Sequence, residues 1–320
     1  MVALDDTTEE TRFDSFIVLR TSYKTIGSHE IDVGILIPKN LNLEKHPLVV
    51  KFHGGGLVNG DCLYAPWISA FWVPFLHRNS AITVLPNYRL TPEASGTEIL
   101  EDLSDFWDWL LKNRKLDTYL ASKDVQLEID YTKLFVTGDS AGGYMALQSA
   151  VQRPEGEIKV VLAQYPMTNV SRRTPDDRPF GVAPPPKTWL DTYIQSMKPG
   201  DIRSSSDPTT DQSRKPLSSA LNAYQRFEEF FGTGKSLWPV TAIGDAKSWP
   251  PTTIFHGRQD SAVAFEDTEV FVEKVMKMFK DTEIRLVARD GDHGFDMETK
   301  EDEEEWLKRE LQWVESKWLV

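Results

Sequence analysis

The chain has 320 residues, of which 40% are hydrophobic and 11% aromatic, and this composition excludes an intrinsically disordered protein. Its formal net charge is −13 and no block is rich in lysine or arginine, which argues against nucleic acid and anionic membranes as partners. Cys62 is the only cysteine, so an intrachain disulfide is excluded.

The two ends of the sequence carry no recognisable targeting signal. The N-terminal residues are acidic and lack the positive and apolar regions of a signal peptide. No stretch approaches the roughly 20 apolar residues that a membrane-spanning helix needs. We therefore expect a cytoplasmic protein without a membrane span. A monomer and a homodimer are both compatible with the sequence.

The first third of the chain predicts four strands. Residues 16–21 and 31–37 are joined by a turn at Gly27 and Ser28, as in the antiparallel pairs that often open an α/β sheet. Residues 47–52 form a mostly apolar strand, and residues 81–85 form the next one. Aromatic and apolar residues between these last two strands predict a helical face that packs into the core or, in part, lines a pocket: Trp67, Phe71, Trp72, Phe75 and Leu76.

A run of three glycines follows the third strand. His53, Gly54, Gly55 and Gly56 stand there in succession. Glycines allow backbone N–H groups to approach a ligand closely, although a bare glycine run is more often a flexible turn. Its place directly after a buried strand favours the first interpretation. We predict that the N–H groups of Gly54 and Gly55, with that of Ala141, form an oxyanion hole. His53 is expected to hold this loop in place.

Charged residues beyond the fourth strand are interpreted as structural. Arg89 and Glu93 are expected to form an internal ion pair that braces their loop. Apolar residues then recur at helical spacing between positions 100 and 110. The acidic residues of this helix predict a solvated face rather than a metal or glycosidase site: Glu101, Asp102, Asp105 and Asp108.

Residues 133–150 combine a strand, a tight turn and a helix around one serine. The turn reads G-D-S-A-G and places Ser140 at its tip. Such a turn forces the tip residue into a strained backbone conformation, and glycines at 138 and 142 avoid collisions with a Cβ. The hydroxyl is thereby exposed at a helix N-terminus, where N–H groups favour developing negative charge. This pattern is the nucleophile elbow.

The composition changes after a further strand at residues 159–165. Residues 169–245 are rich in proline, serine, aspartate and arginine, with short helical stretches at 189–197 and 220–231. A structureless loop of this length is implausible in a compact domain. We interpret 169–245 as a cap inserted between the sixth and seventh strands.

The rest of the chain then forms an α/β core in two parts, residues 1–168 and 246–320. The second part predicts strands at 252–256 and 283–287, with helices at 265–278 and 306–318. Seven aromatic residues of the cap either line an acyl or polyketide pocket or form the small core of the cap itself: Phe180, Trp189, Tyr193, Phe227, Phe230, Phe231 and Trp238.

His293 is predicted to be the general base. It lies in a glycine-flanked loop after the last strand, at the edge where open α/β sheets place their sites. Imidazole can take a proton from a weakly nucleophilic serine and return it to a leaving group. The other histidines are expected in early surface turns, ahead of the serine, or packed against the sheet: His29, His46, His53, His77 and His256.

Asp260 is the predicted acid because it is the first carboxylate after the seventh strand. Its carboxylate would fix the tautomer of His293 and stabilise the imidazolium. The competing acids are Asp267, Asp290, Asp292 and Asp296, of which Asp290 and Asp292 stand too close to His293 in sequence to come from a separate loop. Asp139 is interpreted as a brace within the elbow. Ser140, Asp260 and His293 then follow the chain order expected after a nucleophile elbow.

Three motifs together resemble the hormone-sensitive-lipase branch of the α/β-hydrolases: H53-G-G-G, Y88-R-L-T-P-E and G138-D-S-A-G-G. The resemblance implies an eight-stranded, mostly parallel sheet with a helical cap, no cofactor and no metal, and cleavage of carboxylic esters. It also implies Ser140 as nucleophile, His293 as base and Asp260 as acid. Thr91 stands where the family usually has alanine, and residues 94–97 lack its proline-rich stretch. The motifs around 52–60 and 86–90 look most similar to fungal members.

The leading hypothesis is therefore a serine esterase that acts on a small or medium carboxylic ester or lactone through an acyl-enzyme. One alternative is a secondary-metabolite pathway enzyme that uses the same triad for thioester release, acyl transfer or cyclisation. Another is a ligand receptor built on an inactive hydrolase, as in the plant gibberellin receptors, which resemble this branch and lack the histidine. The presence of Ser140, Asp260 and His293 argues against the receptor.

Overall fold

The computed structural model describes residues 4–39, 41 and 44–320, and these form one eight-stranded sheet. In chain order the strands are β1 (Phe16–Ile26), β2 (His29–Pro38), β3 (Lys45–Phe52), β4 (Ile82–Pro86), β5 (Glu128–Asp139), β6 (Val160–Gln164), β7 (Thr252–Gly257) and β8 (Ile284–Arg289). Their spatial order is β1-β2-β4-β3-β5-β6-β7-β8. The pairs β1–β2 and β2–β4 are antiparallel and all others are parallel. The predicted fold class is confirmed.

Ten α-helices are present in the described residues: α1 (Trp72–Arg78), α2 (Gly96–Trp107), α3 (Lys115–Ser122), α4 (Ala141–Gln152), α5 (Lys187–Ser196), α6 (Arg214–Ala223), α7 (Phe227–Phe231), α8 (Pro239–Ala242), α9 (Phe265–Met278) and α10 (Glu305–Trp318). The stretch from α5 to α8 lies between β6 and β7, where the sequence predicts the cap. The predicted helix at 220–231 is two helices, because Gln225 adopts a φ of 55° between them.

Side chains of β5 alternate between two apolar layers, as the pleat of a strand requires. Leu134 and Val136 join the layer that contains residues of α2, α4 and α9. Phe135 joins the opposite layer, where its ring lies 5.4 Å from that of Trp318 in α10 and 6.1 Å from that of Phe75 in α1. The aromatic face around α1 is therefore mainly core, while Trp67 stays half-buried.

Two predictions about charged residues are wrong. Asp102 is fully buried and accepts from Lys24 Nζ at 2.7 Å and from the Arg89 backbone N–H at 2.9 Å, so the acidic face of α2 is not wholly solvated. Arg89 does not pair with Glu93. It pairs with Asp102 and Glu98, while Glu93 pairs with Arg214 from α6.

His46 is buried within β3 rather than placed in a surface turn, and His29 begins β2. The carboxyl ends of β3, β5, β7 and β8 meet at one edge of the sheet because these strands are parallel. The loops that follow them carry the predicted site residues. No helix in the described part of the chain has the length and apolar character needed to cross a membrane.

Candidate active site

Ser140 lies between β5 and α4 with φ 54° and ψ −115°, an unfavourable backbone conformation for a residue with a side chain. The neighbouring glycines make this turn possible. A Cβ on Gly138 would overlap the backbone of Gly142, and a Cβ on Gly142 would overlap the carbonyl of Phe52. The turn is therefore packed directly onto the end of β3, which brings the glycine loop beside the serine.

Gly54 lies beside Ser140. A Cβ built on Gly54 would lie 2.5 Å from Asp139 Oδ2 and 3.5 Å from Ser140 Cβ. Gly55 adopts a φ of 99°, which L side chains rarely take. Among the hydrogen bonds of the described residues, none uses the N–H of Gly54, Gly55 or Ala141 as donor. The N–H groups of the three predicted oxyanion-hole residues are thus uncommitted, and Gly54 lies beside the serine.

His53 is hydrogen-bonded to the glycine loop that it begins. Its Nδ1–H donates to Gly54 O at 2.8 Å, and its ring stacks on Tyr88 at a centroid distance of 4.4 Å. Tyr88 also donates to His53 O at 2.7 Å. Complete burial lowers the pKa of His53, which keeps the ring neutral. These contacts fit a structural role.

Asp260 and His293 form a direct pair. Asp260 Oδ2 lies 2.7 Å from His293 Nδ1, while its Oδ1 accepts from the N–H groups of Ala262 and Val263 at 2.8 and 2.7 Å. Burial opposes ionisation of Asp260, but hydrogen bonds from His256 and His293 outweigh it and hold its pKa well below the ordinary value. The carboxylate is therefore an ionised acceptor for His293.

Asp292 links the acid loop to the base loop. Its Oδ1 accepts from the N–H groups of Ser261 and His293, both at 2.7 Å, and its Oδ2 accepts from the Ser261 hydroxyl at 3.0 Å. Of the acids weighed from sequence, Asp260 rather than Asp292 meets the imidazole, and Asp290 is exposed. Asp292 fixes the two loops relative to each other.

Tyr165 contacts the imidazole from a segment that is bonded to the elbow. Its ring packs on that of His293 at 4.5 Å. The carbonyl of Gln164 accepts from the Ser140 N–H at 2.8 Å, and the Met167 N–H donates to Ser140 O at 3.2 Å. Gln164 and Met167, which lie before and after Tyr165 in sequence, are thus hydrogen-bonded to the backbone of Ser140. Sequence reasoning missed Tyr165, since its only signal was its place at the end of a predicted strand.

His256 is a second residue that sequence reasoning assigned only to packing. It is fully buried, and its Nε2 lies 3.1 Å from Asp260 Oδ2. The H-G-x-x-D spacing that separates it from Asp260 was the available signal. No cluster of three or more His, Cys, Asp or Glu residues in the described ranges is arranged to hold a metal ion.

Some of the cap aromatics pack into the main core, and Phe180 lies near the base. Phe227, Phe231 and Trp238 pack with Tyr144 of α4, whose ring is 6.2 Å from Phe231 and 6.0 Å from Trp238. They extend the main core instead of forming a separate one. Phe180, in contrast, is 60% exposed and its ring lies 5.8 Å from that of His293.

The helix α6 is joined to the glycine loop by a buried arginine. Arg214 donates to Val58 O at 2.9 Å, to Thr91 O at 2.9 Å and to both carboxylate oxygens of Glu93 at 2.6 and 2.9 Å. Ser218 of the same helix occupies the space beside Gly56. The segment between β6 and β7 therefore covers the glycine loop.

A sequence model of the alpha/beta hydrolase fold matches residues 49–297, which span the glycine loop, the elbow and both later loops. The chain belongs to this family. This assignment confirms the resemblance expected from the three motifs. The probable carboxylesterase M8 of Phoma sp. is 29% identical over 96% of this chain and 98% of that protein. The probable carboxylesterase clz11 of Cochliobolus lunatus is 36% identical over 41% of this chain and 62% of that protein.

One relative is a part of a larger protein. The non-reducing polyketide synthase atr1 of Stereocaulon alpinum is 26% identical over 92% of this chain but only 13% of its own length. Among solved structures, esterase 2 of Thermogutta terrifontis phosphonylated by sarin has 18% identity, a TM-score of 0.59 and 93% coverage of both chains. A Staphylococcus aureus protein of unknown function has 17% identity, a TM-score of 0.63 and covers 93% of this chain and 99% of its own. The structural likeness supports the fold, and the relatives support a carboxylesterase-like hydrolase.

Proposed function

We propose that the chain is a serine esterase in which Ser140 attacks the carbonyl carbon of a carboxylic ester. The observation that carries this proposal is the 2.7 Å contact between His293 Nδ1 and Asp260 Oδ2, in a loop packed on Tyr165 beside the serine. An Asp-bound Nδ1–H leaves Nε2 as the basic nitrogen of the neutral ring. Only that nitrogen is then free to take the serine proton.

The acylation step follows from these positions. As Ser140 Oγ forms its bond to the carbonyl carbon, its proton passes to His293 Nε2 and the carbonyl oxygen becomes an oxyanion. The uncommitted N–H groups of Gly54, Gly55 and Ala141 are the donors proposed for that oxyanion. The imidazolium then gives its proton to the alcohol oxygen as the C–O bond breaks, which leaves an acyl group on Ser140. Water repeats the sequence to release the acid.

The alcohol part of the substrate is proposed to contact Phe180 and Val182. The proton of the imidazolium must reach the leaving oxygen, so the alcohol lies beside His293 during acylation. Phe180 packs edge-on against that ring, and Val182, two residues further, is 65% exposed. An apolar or aromatic alcohol group would cover these side chains and remove apolar surface from water.

A second candidate function is the release of an ester-linked or thioester-linked polyketide. The match of 92% of this chain to part of a polyketide synthase favours it. A thioester would use the same hydroxyl, imidazole and oxyanion donors, with a thiolate in place of the alcohol. The two candidates differ in the leaving group and not in the nucleophile.

The test begins with covalent labelling of the serine. A fluorophosphonate probe should label the wild-type protein, and Ser140→Ala should abolish the label. His293→Ala and Asp260→Asn should label slowly while both keep the wild-type circular dichroism spectrum. Equal labelling of wild type and Ser140→Ala would refute the nucleophile assignment. Intact mass after mixing with p-nitrophenyl acyl esters and with acyl-N-acetylcysteamine thioesters then separates the two candidates by the rate of acylation.

A further inference from the structure

A second histidine contacts the acid loop from inside the core. His256, near the end of β7, has no exposed surface. Its Nε2 lies 3.1 Å from Asp260 Oδ2 and 3.2 Å from the carbonyl oxygen of Val263. Its Nδ1 lies 2.9 Å from the hydroxyl oxygen of Thr268, a buried residue of α9.

The partners of the ring define its tautomer. A carboxylate and a carbonyl oxygen can only accept, so the proton is on Nε2. In the neutral ring Nδ1 is then an acceptor, and the Thr268 hydroxyl donates to it. The His256 Nε2–H therefore donates to the Val263 carbonyl and lies close to Asp260 Oδ2. One side chain thus ties β7, the acid loop and α9 together.

His256 contacts the same carboxylate oxygen of Asp260 that is bonded to His293. Asp260 Oδ2 lies near both His293 Nδ1 and His256 Nε2, whereas Oδ1 accepts only from backbone N–H groups of the loop. A histidine that served packing alone would be satisfied by Thr268 and the Val263 carbonyl. The approach to Oδ2 constrains rotation of the carboxylate about its Cβ–Cγ bond, and that rotation would misalign His293.

We propose that His256 is a positioning residue that holds the Asp260 carboxylate in the orientation that receives His293. This inference rests on the proposed serine-esterase function. It assigns to His256 no contact with substrate. Its effect is on how well Asp260 orients the base and stabilises the imidazolium.

His256→Phe is the test because phenylalanine keeps the ring volume and removes the N–H. We expect kcat to fall about tenfold, as for loss of one hydrogen bond to a charged group, with KM unchanged within about twofold. We also expect the acid limb of kcat/KM to move to lower pH. A carboxylate that turns away from His293 stabilises its imidazolium less.

The other groups that face the pair are the same in wild type and variant. They are Asp292 from the base loop, Tyr165 after β6, and Arg173 from the segment before β7, which donates to the Ala262 carbonyl. A change in the acid limb in His256→Phe therefore reports the loss of the His256 N–H.

Two further variants separate positioning from simple loss of structure. His256→Gln offers a side-chain N–H at a similar reach and should recover most of kcat. In an Asp260→Asn background, His256→Phe should change the rate of fluorophosphonate labelling by less than about twofold, because the charged carboxylate that His256 positions has gone. Phenylalanine that damaged the fold would lower the labelling rate in both backgrounds by the same factor.

The outcomes distinguish this inference from the proposed function. Full activity in Ser140→Ala or His293→Ala would refute the proposed function itself. Loss of activity in those two variants, together with a wild-type kcat and pH profile in folded His256→Phe, would overturn only the role of His256. An equal loss in the wild-type and Asp260→Asn backgrounds would also overturn it.

Discussion

Lys51 of β3 and Asp139 of β5, the residue before Ser140, form a buried ion pair at the serine elbow. Lys51 Nζ lies 2.5 Å from Asp139 Oδ1, and the two side chains are 4% and 7% exposed. The other oxygen of Asp139 faces Gly54, where a Cβ would lie 2.5 Å away. The pair therefore supports the elbow and the glycine loop at once. The sequence indicated Asp139 as a brace but gave no sign of its partner.

Lys51→Met should lower the free energy of unfolding by about 3 kcal/mol, because Asp139 would be left as a buried and unpaired carboxylate. Urea denaturation followed by tryptophan fluorescence measures this change. Lys45→Met is the matched control, since Lys45 pairs with Glu128 across the same two strands with both side chains 61% exposed. Its midpoint should equal that of wild type. A similar midpoint for both variants would contradict a structural role for the buried pair.

Local patterns predicted the fold well. The helix expected at 265–278 coincides with α9, and each strand expected from an apolar run is present in the sheet. The order of motifs also led to Asp260 and His293, which the fold brings to 2.7 Å. Periodicity and turn chemistry are properties of a few neighbouring residues, so they can be read without knowledge of the tertiary structure.

Partners that are distant along the chain could not be predicted in this way. Asp102 belongs by its spacing to a solvated helix face, but Lys24 covers it from 78 residues away. Glu93 is close to Arg89 in sequence, yet its partner Arg214 is 121 residues away. In both cases the fold buries a carboxylate beside a cation that is distant in sequence. Such a pairing depends on tertiary packing, which local sequence patterns do not contain.

Arg214→Met should loosen the attachment of α6 to the glycine loop. The substitution removes donors to Val58, Thr91 and Glu93. The buried Glu93 carboxylate is then left with only the looser contact to Arg203 at 3.7 Å. Amide hydrogen exchange in α6 should be faster by at least about tenfold, with smaller changes in β5 and α4.

Arg226→Met provides the comparison for this variant. Arg226 lies just before α7, and its partners Glu229 and Asp191 are 50% and 38% exposed. Its loss should therefore leave exchange in α6 unchanged. Exchange in α6 that is equally fast in both variants would show that Arg214 is not what attaches the helix.

Asp296→Asn should reduce the pH dependence of stability. Asp296 is fully buried below the base loop, where burial raises its pKa to about 6. Gln164 Nε2 donates to its Oδ2 at 2.8 Å, while Oδ1 has no hydrogen-bond partner among the described residues. The folded protein therefore binds a proton that the unfolded chain releases near its ordinary pKa of 3.8.

This difference between the folded and unfolded pKa of Asp296 determines how stability changes with pH. The contribution of Asp296 to stability is fully present below about pH 4 and is lost as pH rises through about 6, at a cost of about 3 kcal/mol for the shift. Wild type should thus lose more stability between pH 4 and pH 8 than Asp296→Asn does. Asp290→Asn, which removes an exposed carboxylate of the neighbouring loop, should match wild type in the same urea titrations. Equal pH dependence in Asp296→Asn and wild type would contradict the burial argument.

Phe180→Ala should slow acylation by esters of aromatic alcohols and leave deacylation unchanged. Phe180 borders the position proposed for the leaving alcohol, and that alcohol has departed before water attacks the acyl group. Stopped-flow bursts with 1-naphthyl acetate should show an acylation rate about fivefold to tenfold lower, consistent with partial loss of one buried aromatic contact. Ethyl acetate should change by less than about twofold. Met276→Ala, an equally exposed apolar residue of α9, is the control and should affect neither step. A slower deacylation in Phe180→Ala would place Phe180 on the acyl side of the site.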